Sequence, residues 1–367
     1  MKKLLQIRIN YNGNGRQFYS VFCARLQRHL AERYFYRWTV ARGWQNGRHY
    51  LLTFDTGAPC YEPGWRDEIL AMAADFLASH PSPAYDAGEY VAIQAALSRI
   101  EGEQVDTSRV EANNTCTSSE IDTDTWARKF ENLEQRWSIF EAEIRLRPWL
   151  IQQWCEGDDH ERFLYRLLIL LGCTLPPGPS DNPDVVEYNG FLSYNANFRF
   201  WYYTLEPEQQ ARVTEQFEAR YTQAQVRYLE CVGELETELA VPHSSAAQLA
   251  GLLVDCYLQF GALAQQELIH QRSPYPKDAV APRSQLSHFH QRLFYQDDDS
   301  LRQLSWEFSG YRWLLNIVYR NLPGLDVSPL SRQYCNFSID RLQREHLPWM
   351  HRIRKAMLSA NMAAARM

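Results

Sequence analysis

The chain has 367 residues, a net charge of −6 and a hydrophobic content of 45%, which suits one large core or two to three domains of an ordinary globular protein. The acidic balance argues against wrapping DNA, and the longest apolar run, LLILLGC from Leu167, is far too short to span a bilayer. Eight cysteines form no CxxC pair and no cluster at metal spacing, so free buried thiols in a cytoplasmic protein without metal or cofactor are expected.

The opening MKKLLQIRINYNG reads as a strand over 4–11 rather than a signal peptide, because Leu5, Ile7, Ile9 and Tyr11 alternate with Gln6, Arg8 and Asn10. A helix over 16–33 carries Phe18, Val21, Phe22, Leu26 and Leu30 on one face. Strands near 34–41 and 48–54 follow, joined by GWQNG, with Asn46-Gly47 as the turn signal. Helices are expected over 63–80 and 88–101, the first stopped before Pro81 and Pro83. The stretch from 102 to 124 is polar and reads as a long loop.

From there the pattern turns helical. Trp126, Phe130, Leu133, Trp137, Phe140 and Ile144 repeat as 4-3-4-3-4, one helix of about five turns that ends or kinks at Pro148. Further helices are expected over 158–172, 206–238, 243–272, 284–296, 298–321 and 328–358. The block 187–210 has no clean period, and the Pro/Gly-rich loop 174–184 is the best candidate boundary. The reading is an α+β protein, with a small β-α-β-β sheet unit in residues 1–124 and a mostly helical bundle in 125–367.

Nucleotide, hydrolase and zinc-protease signatures are absent, and His288 and His290 lack a neighbouring carboxylate or cysteine that would suggest a metal site. The hairpin YFYRWTVARGWQNGRHYLLTF (34–54) is the most distinctive stretch. Alternation puts Tyr34, Tyr36 and Trp38 on one face and Phe35, Arg37 and Thr39 on the other. Convergence of Arg37, Arg42, Arg48 and His49 near the turn would hold a carboxylate. The alternative is that these arginines pair with acids of neighbouring helices.

This hairpin, with Arg37, Gly47 and His49 in matching places, resembles the C-terminal, glutamate-elimination domain family of lantibiotic dehydratases. The likeness is greatest to its stand-alone members of thiopeptide biosynthesis, which include the pyridine synthases. DFLASHPSPAYDAGEYVAIQAALSRIEGE (75–103), EANNTCT (111–117), GFLSYNANF (190–198) and WEFSGYRWLLNIVYRNLPGLDVSPLSRQYCNFSI (306–339) resemble further family segments in the same order, across essentially the whole chain. Departures occur at charged places. Leu51 stands where the hairpin pattern has a second Arg, Arg48 replaces a Pro, and Asn195 and Asn197 stand where Arg and His are expected.

The resemblance implies maturation of a ribosomally synthesised peptide. One form cyclises a dehydroalanine-containing peptide by formal [4+2] chemistry with loss of water and leader. Another eliminates glutamate from glutamylated Ser or Thr, and a third is a non-catalytic peptide-binding partner. The stand-alone length and the missing basic positions favour the cyclase form. The implied catalytic residues are Arg37, His49, Ser193 and Tyr194, and the implied substrate-binding residues are Trp38, Arg42, Arg48, Asn197 and Tyr311. The implied partners are a precursor peptide and a glutamylating dehydratase subunit, with no DNA and no membrane; a homodimer is compatible with this reading.

Overall fold

A computed structural model describes residues 3–84, 86–101, 106, 109–128, 130, 132–156, 160–176, 178–179, 187–269 and 305–364. The expected helix 284–296, the loop 273–283, and His288 and His290 lie outside them. The chain divides into two compact units, Met1–Asp158 with Tyr319–Asp326, and Asp159–Val318 with Val327–Met367.

The first unit is built on a four-stranded antiparallel sheet of order β2-β3-β1-β4. Strand β1, Lys3–Asn10, is central and buries Leu5, Ile7 and Ile9 on one face and Leu4 on the other. Helix α1 follows as Gly15–Gln17, a π-helical turn Phe18–Cys23, and Ala24–Ala31. The wider turn brings Phe18, Tyr19, Phe22 and Cys23 all inside, and Phe18 stacks on Tyr50 with ring centroids 3.7 Å apart. Strands β2, Trp38–Gly43, and β3, His49–Asp55, form the expected hairpin. Its turn has positive φ at Asn46 (56°) and Gly47 (111°), the backbone that Asn-Gly supplies at little steric cost.

Two sequence expectations need correction in this unit. The strand over 34–41 begins only at Trp38, because Tyr34 takes a left-handed conformation (φ 57°) as the chain leaves α1. Phe35 is therefore buried while Tyr34 and Tyr36 are exposed, and the alternation assigned from Tyr34 does not hold. The polar loop 102–124 contains strand β4, Thr115–Asp122, paired along β1 from Lys3↔Asp122 to Asn10↔Thr115. This edge strand is largely solvent-facing, so polar and β-branched residues suit it. Asn113 and Asn114 tie its entry to Ser82: Asn114 Oδ1 accepts from Ser82 N at 2.8 Å, and both amides donate to Ser82 O. Helices α2, Trp65–Ser79, and α3, Ala87–Glu101, fall where expected.

The 4-3-4-3-4 repeat is shared by two helices. Asp122 caps a short α4, Thr123–Ala127, through a 2.7 Å bond from Thr125 N. Helix α5 then runs Leu133–Glu156 and continues through Pro148. Trp126 on α4 still meets Phe140 and Leu4 in one cluster, so the apolar period survives the break.

The second unit is helical, with one two-stranded ladder of β5, Gly178–Pro179, and β6, Glu187–Tyr188. Helix α6, His160–Thr174, carries the LLILLGC run, and Leu167 to Leu171 are all buried. The unperiodic block 187–210 contains α7, Leu192–Tyr202. Helix α8, Pro207–Leu239, starts with a reciprocal capping box between Glu206 and Gln209. Helix α9, Ser245–Gln265, is long and apolar enough by length and composition to cross a membrane. Leu249, Leu253, Cys256 and Phe260 on it are buried within the unit. Helix α10 is Trp306–Asn321. The segment 328–358 is two helices, α11, Pro329–Glu345, and α12, Leu347–Ala364. They separate at His346 (φ −134°, ψ 46°), and Pro348, which has no backbone N–H to donate, suits the first turn of α12. None of the eight cysteines forms a disulfide; Cys60 and Cys155 are exposed, against the expectation of buried thiols.

Candidate functional site

The nine expected site residues fall five in the first unit and four in the second. On the hairpin the basic residues do not converge. The six-residue strand β2 separates Arg37 from the turn, about 20 Å of extended chain. Arg37 Nε donates to Asp55 Oδ2 at 2.8 Å, and its Nη2 lies 2.6 Å from Glu141 on α5. Arg42 pairs with Asp326, donates to Pro323 O at 3.1 Å, and sits 5.7 Å from the centre of the Tyr50 ring. Of these acids Glu141 lies on a neighbouring helix, the alternative left open above, whereas Asp55 ends β3 itself and Asp326 follows α10. Arg48 is exposed and donates to Asn12 Oδ1 at 3.1 Å.

His49 is buried opposite Gly43, and its Nδ1–H donates to Gly47 O at 2.8 Å. Burial, with the nearby Arg8 charge, pulls its pKa down to about 4 against the opposing pull of the Gly47 carbonyl. The ring is therefore neutral near pH 7. Trp38 is fully buried, stacked on Phe54 and covered by the Arg147 guanidinium 4.0 Å from its ring centre. Arg147 donates to the carbonyls of Tyr36 and Trp38, and burial lowers its pKa to about 9. Trp38 is thus a core residue rather than a groove wall.

In the second unit, Tyr194 and Tyr311 are fully buried, and both bond to backbone. The Tyr194 hydroxyl donates to Leu168 O at 2.6 Å, and the Tyr311 hydroxyl to Gly190 O at 2.8 Å. A methyl group at Gly190 would stand 2.4 Å from Gly172 O, so only glycine admits this approach of the α7 entry turn to α6. Ser193 is buried in the first turn of α7. These three residues position α7.

Asn197 opens a different arrangement. Its Oδ1 accepts from Gln333 Nε2 at 3.1 Å and from Asn336 Nδ2 at 3.3 Å. Two residues earlier on α7, Asn195 Nδ2 donates to Asp340 Oδ2 at 2.8 Å, and Arg344 lies 2.8 Å from the same carboxyl. Burial raises the Asp340 pKa, opposed by Arg344, the Asn195 bond and Arg199. The seam between α7 and α11 is therefore a strip of amides closed by one buried acid. Gln333, Asn336 and Asp340 were missed in the sequence reading. Their spacing with Gln343, 3-4-3, marks one helix face, and all four are buried.

Beside this seam, Tyr165 and Tyr228 stack with centroids 4.0 Å apart. Tyr228 Oη lies 2.8 Å from Tyr334 Oη and donates to Glu161 at 3.1 Å. Glu161 is held by Arg220 at 2.8 Å, whose guanidinium covers the Tyr334 ring. Chemically, Asn197, Gln333 and Asn336 satisfy one another, and Asp340 brings an acid into the same strip.

The fold is that of the thiopeptide pyridine synthases. The thiomuracin pyridine synthase TbtD superposes with a TM-score of 0.70 over 95% of this chain and 99% of its own, at 14% identity. TsrL superposes with a TM-score of 0.57 over 97% of this chain and 99% of its own, at 15% identity. No protein-family model and no curated protein sequence matches the chain. At these identities the likeness is one of fold, and it agrees with the resemblance carried by the sequence segments.

Proposed function

We propose that the chain matures a ribosomally made peptide by joining two dehydroalanine units in a formal [4+2] closure, with loss of water and of the leader. The observation that carries this reading is the end-to-end superposition on a pyridine synthase, covering 95% of this chain and 99% of the other. In such a closure the protein contributes mainly by holding two alkenes in reacting geometry, worth about 7–11 kcal/mol in favourable cases. Exposed Arg48 is open to an anionic group of the leader.

Glutamate elimination is less well served by the geometry. It asks for a cation free to take the departing carboxylate and a base active near neutral pH. Arg37 and Arg42 already hold carboxylates, and His49 is buried and neutral. The deciding experiment incubates purified protein with the dehydrated linear precursor and with its glutamylated form, followed by mass spectrometry. Release of an intact leader with a lighter macrocycle supports the cyclase reading. Loss of glutamate supports elimination. An unchanged mass with saturable binding leaves a peptide-binding partner.

A further inference from the structure

The two edges of the four-stranded sheet are finished differently. At the β2 edge, the buried Arg147 guanidinium donates to the carbonyls of Tyr36 and Trp38. Strand β4 forms the opposite edge. Tyr11 N donates to Arg48 O, one step beyond the Asn10↔His49 pair. Successive residues of an antiparallel strand turn their backbone to alternate sides, so Ile7, Ile9 and Tyr11 bond β3, and Gln6, Arg8 and Asn10 bond β4. The register Arg8↔Thr117 and Gln6↔Ser119 then turns Thr117 and Ser119 inward. It leaves the N–H and C=O of Cys116, Ser118 and Glu120 pointing away from the fold, and among the described residues none of these groups has a partner. The edge is eight residues long, without proline or lysine, and Thr117, Ser119 and Glu120 on it are exposed. An edge of this kind is a template for another strand.

We propose that β4 is the contact between two copies of this chain, paired antiparallel with itself about a two-fold axis at Ser119, so that two sheets run on as one. A two-fold axis that sets two edges antiparallel stands perpendicular to the sheet, so outward residues of one copy meet outward residues of the other. An axis at Glu120 would oppose like charges, a destabilising pair. An axis at Ser118 would set Asp122 against Asn114 of the partner subunit, where left-handed backbone (φ 57°) breaks the ladder. An axis at Ser119 keeps every outward residue within the strand. Ser118 meets Glu120 of the partner subunit, and Cys116 meets Asp122 of the partner subunit, each pair exchanging backbone bonds. No like charges face each other. Charge also favours this register, because exposed Arg66 on α2 donates to Ser118 Oγ at 2.9 Å. That places a guanidinium beside Glu120 of the partner subunit, and the symmetry repeats the pair.

The test is sedimentation equilibrium of the full-length chain over a concentration series, without substrate, so its result does not bear on the cyclase reading. The wild type is expected to reach twice the 43.0 kDa of one chain. Ser118→Pro removes an outward N–H and no bond to β1, a place where an edge strand tolerates proline. It is expected to stay at 43.0 kDa with an unchanged far-ultraviolet circular dichroism spectrum. Cross-linking by oxidised glutathione reads the register and decides the matter if Ser118→Pro fails to fold. Ser119→Cys faces its own counterpart and should form a disulfide-linked dimer on a non-reducing gel. Thr117→Cys, equally exposed but facing Ile121 of the partner subunit, lies too far from its counterpart to link. A wild type that stays at the mass of one chain overturns the inference, as does a folded Ser118→Pro that still dimerises. So does a Ser119→Cys that links no better than Thr117→Cys. A single-chain wild type whose affinity for a synthetic precursor peptide falls in Ser118→Pro would also overturn it, giving the edge to the peptide instead.

Discussion

His49→Asn separates a structural histidine from a catalytic one. The folded protein holds His49 neutral down to about pH 4, whereas the unfolded chain protonates it near 6.5. Its folded pKa is the lower of the two, so its contribution to stability is fully present above pH 6.5. It is lost as pH falls from there to about 4, because the unfolded state binds the proton first. At about 1.4 kcal/mol per pH unit, that interval is worth about 3 kcal/mol for a side chain only 6% exposed. Asparagine can still donate to Gly47 O but cannot take a proton. Urea unfolding at pH 7, 6, 5 and 4 measures the stability of both proteins. The wild type should lose about 3 kcal/mol relative to the variant across the series, and any offset from altered packing cancels because it is independent of pH. A difference that stays flat from pH 7 to 4 would refute the burial argument. It would also reopen His49 as an acid or base working near neutrality.

Substitutions at two further residues test the rest of the site. Arg37→Ala leaves the buried Asp55 carboxylate without its guanidinium, and equilibrium unfolding should show a loss of about 2 kcal/mol. Arg37→Lys should recover only part of it, since one ammonium cannot match the fork that spans Asp55 and Glu141. Tyr311→Phe removes one of two bonds to Gly190 O, which still accepts from Ser193 N at 3.1 Å, so thermal unfolding should show a loss of about 0.5–1.5 kcal/mol with peptide affinity unchanged. A large fall in affinity with normal stability would instead place the hydroxyl against substrate.

The sheet was legible where alternation met a turn signal. Strand β1, the hairpin and its Asn46-Gly47 turn lie within a few residues of expectation. Strand β4 was missed because an edge strand with a solvent-facing side needs no hydrophobic period, and TCTSSEID has none. The first helix of the 126–144 pattern was merged with the second because apolar spacing records which side chains meet, not whether the backbone between them is continuous. On the hairpin the residue types were visible but their state was not. Whether Arg37 and Arg42 are free depends on Asp55, Glu141 and Asp326, the last of them 284 residues from Arg42.

The polar stripe on α11 was legible in principle, and its meaning comes from what faces it. In the resembled pattern the places of Asn195 and Asn197 hold Arg and His. A guanidinium at Asn195 would sit against Asp340 and, with Arg344 already there, hold it firmly ionised and paired. With a neutral amide in that place, burial outweighs the remaining charges and the pKa of Asp340 rises. The exchange of charged residues for amides and the unsettled carboxyl are therefore two sides of one change in the seam. It removes a cation from the seam and leaves the acid to the balance of burial against Arg344 and Arg199.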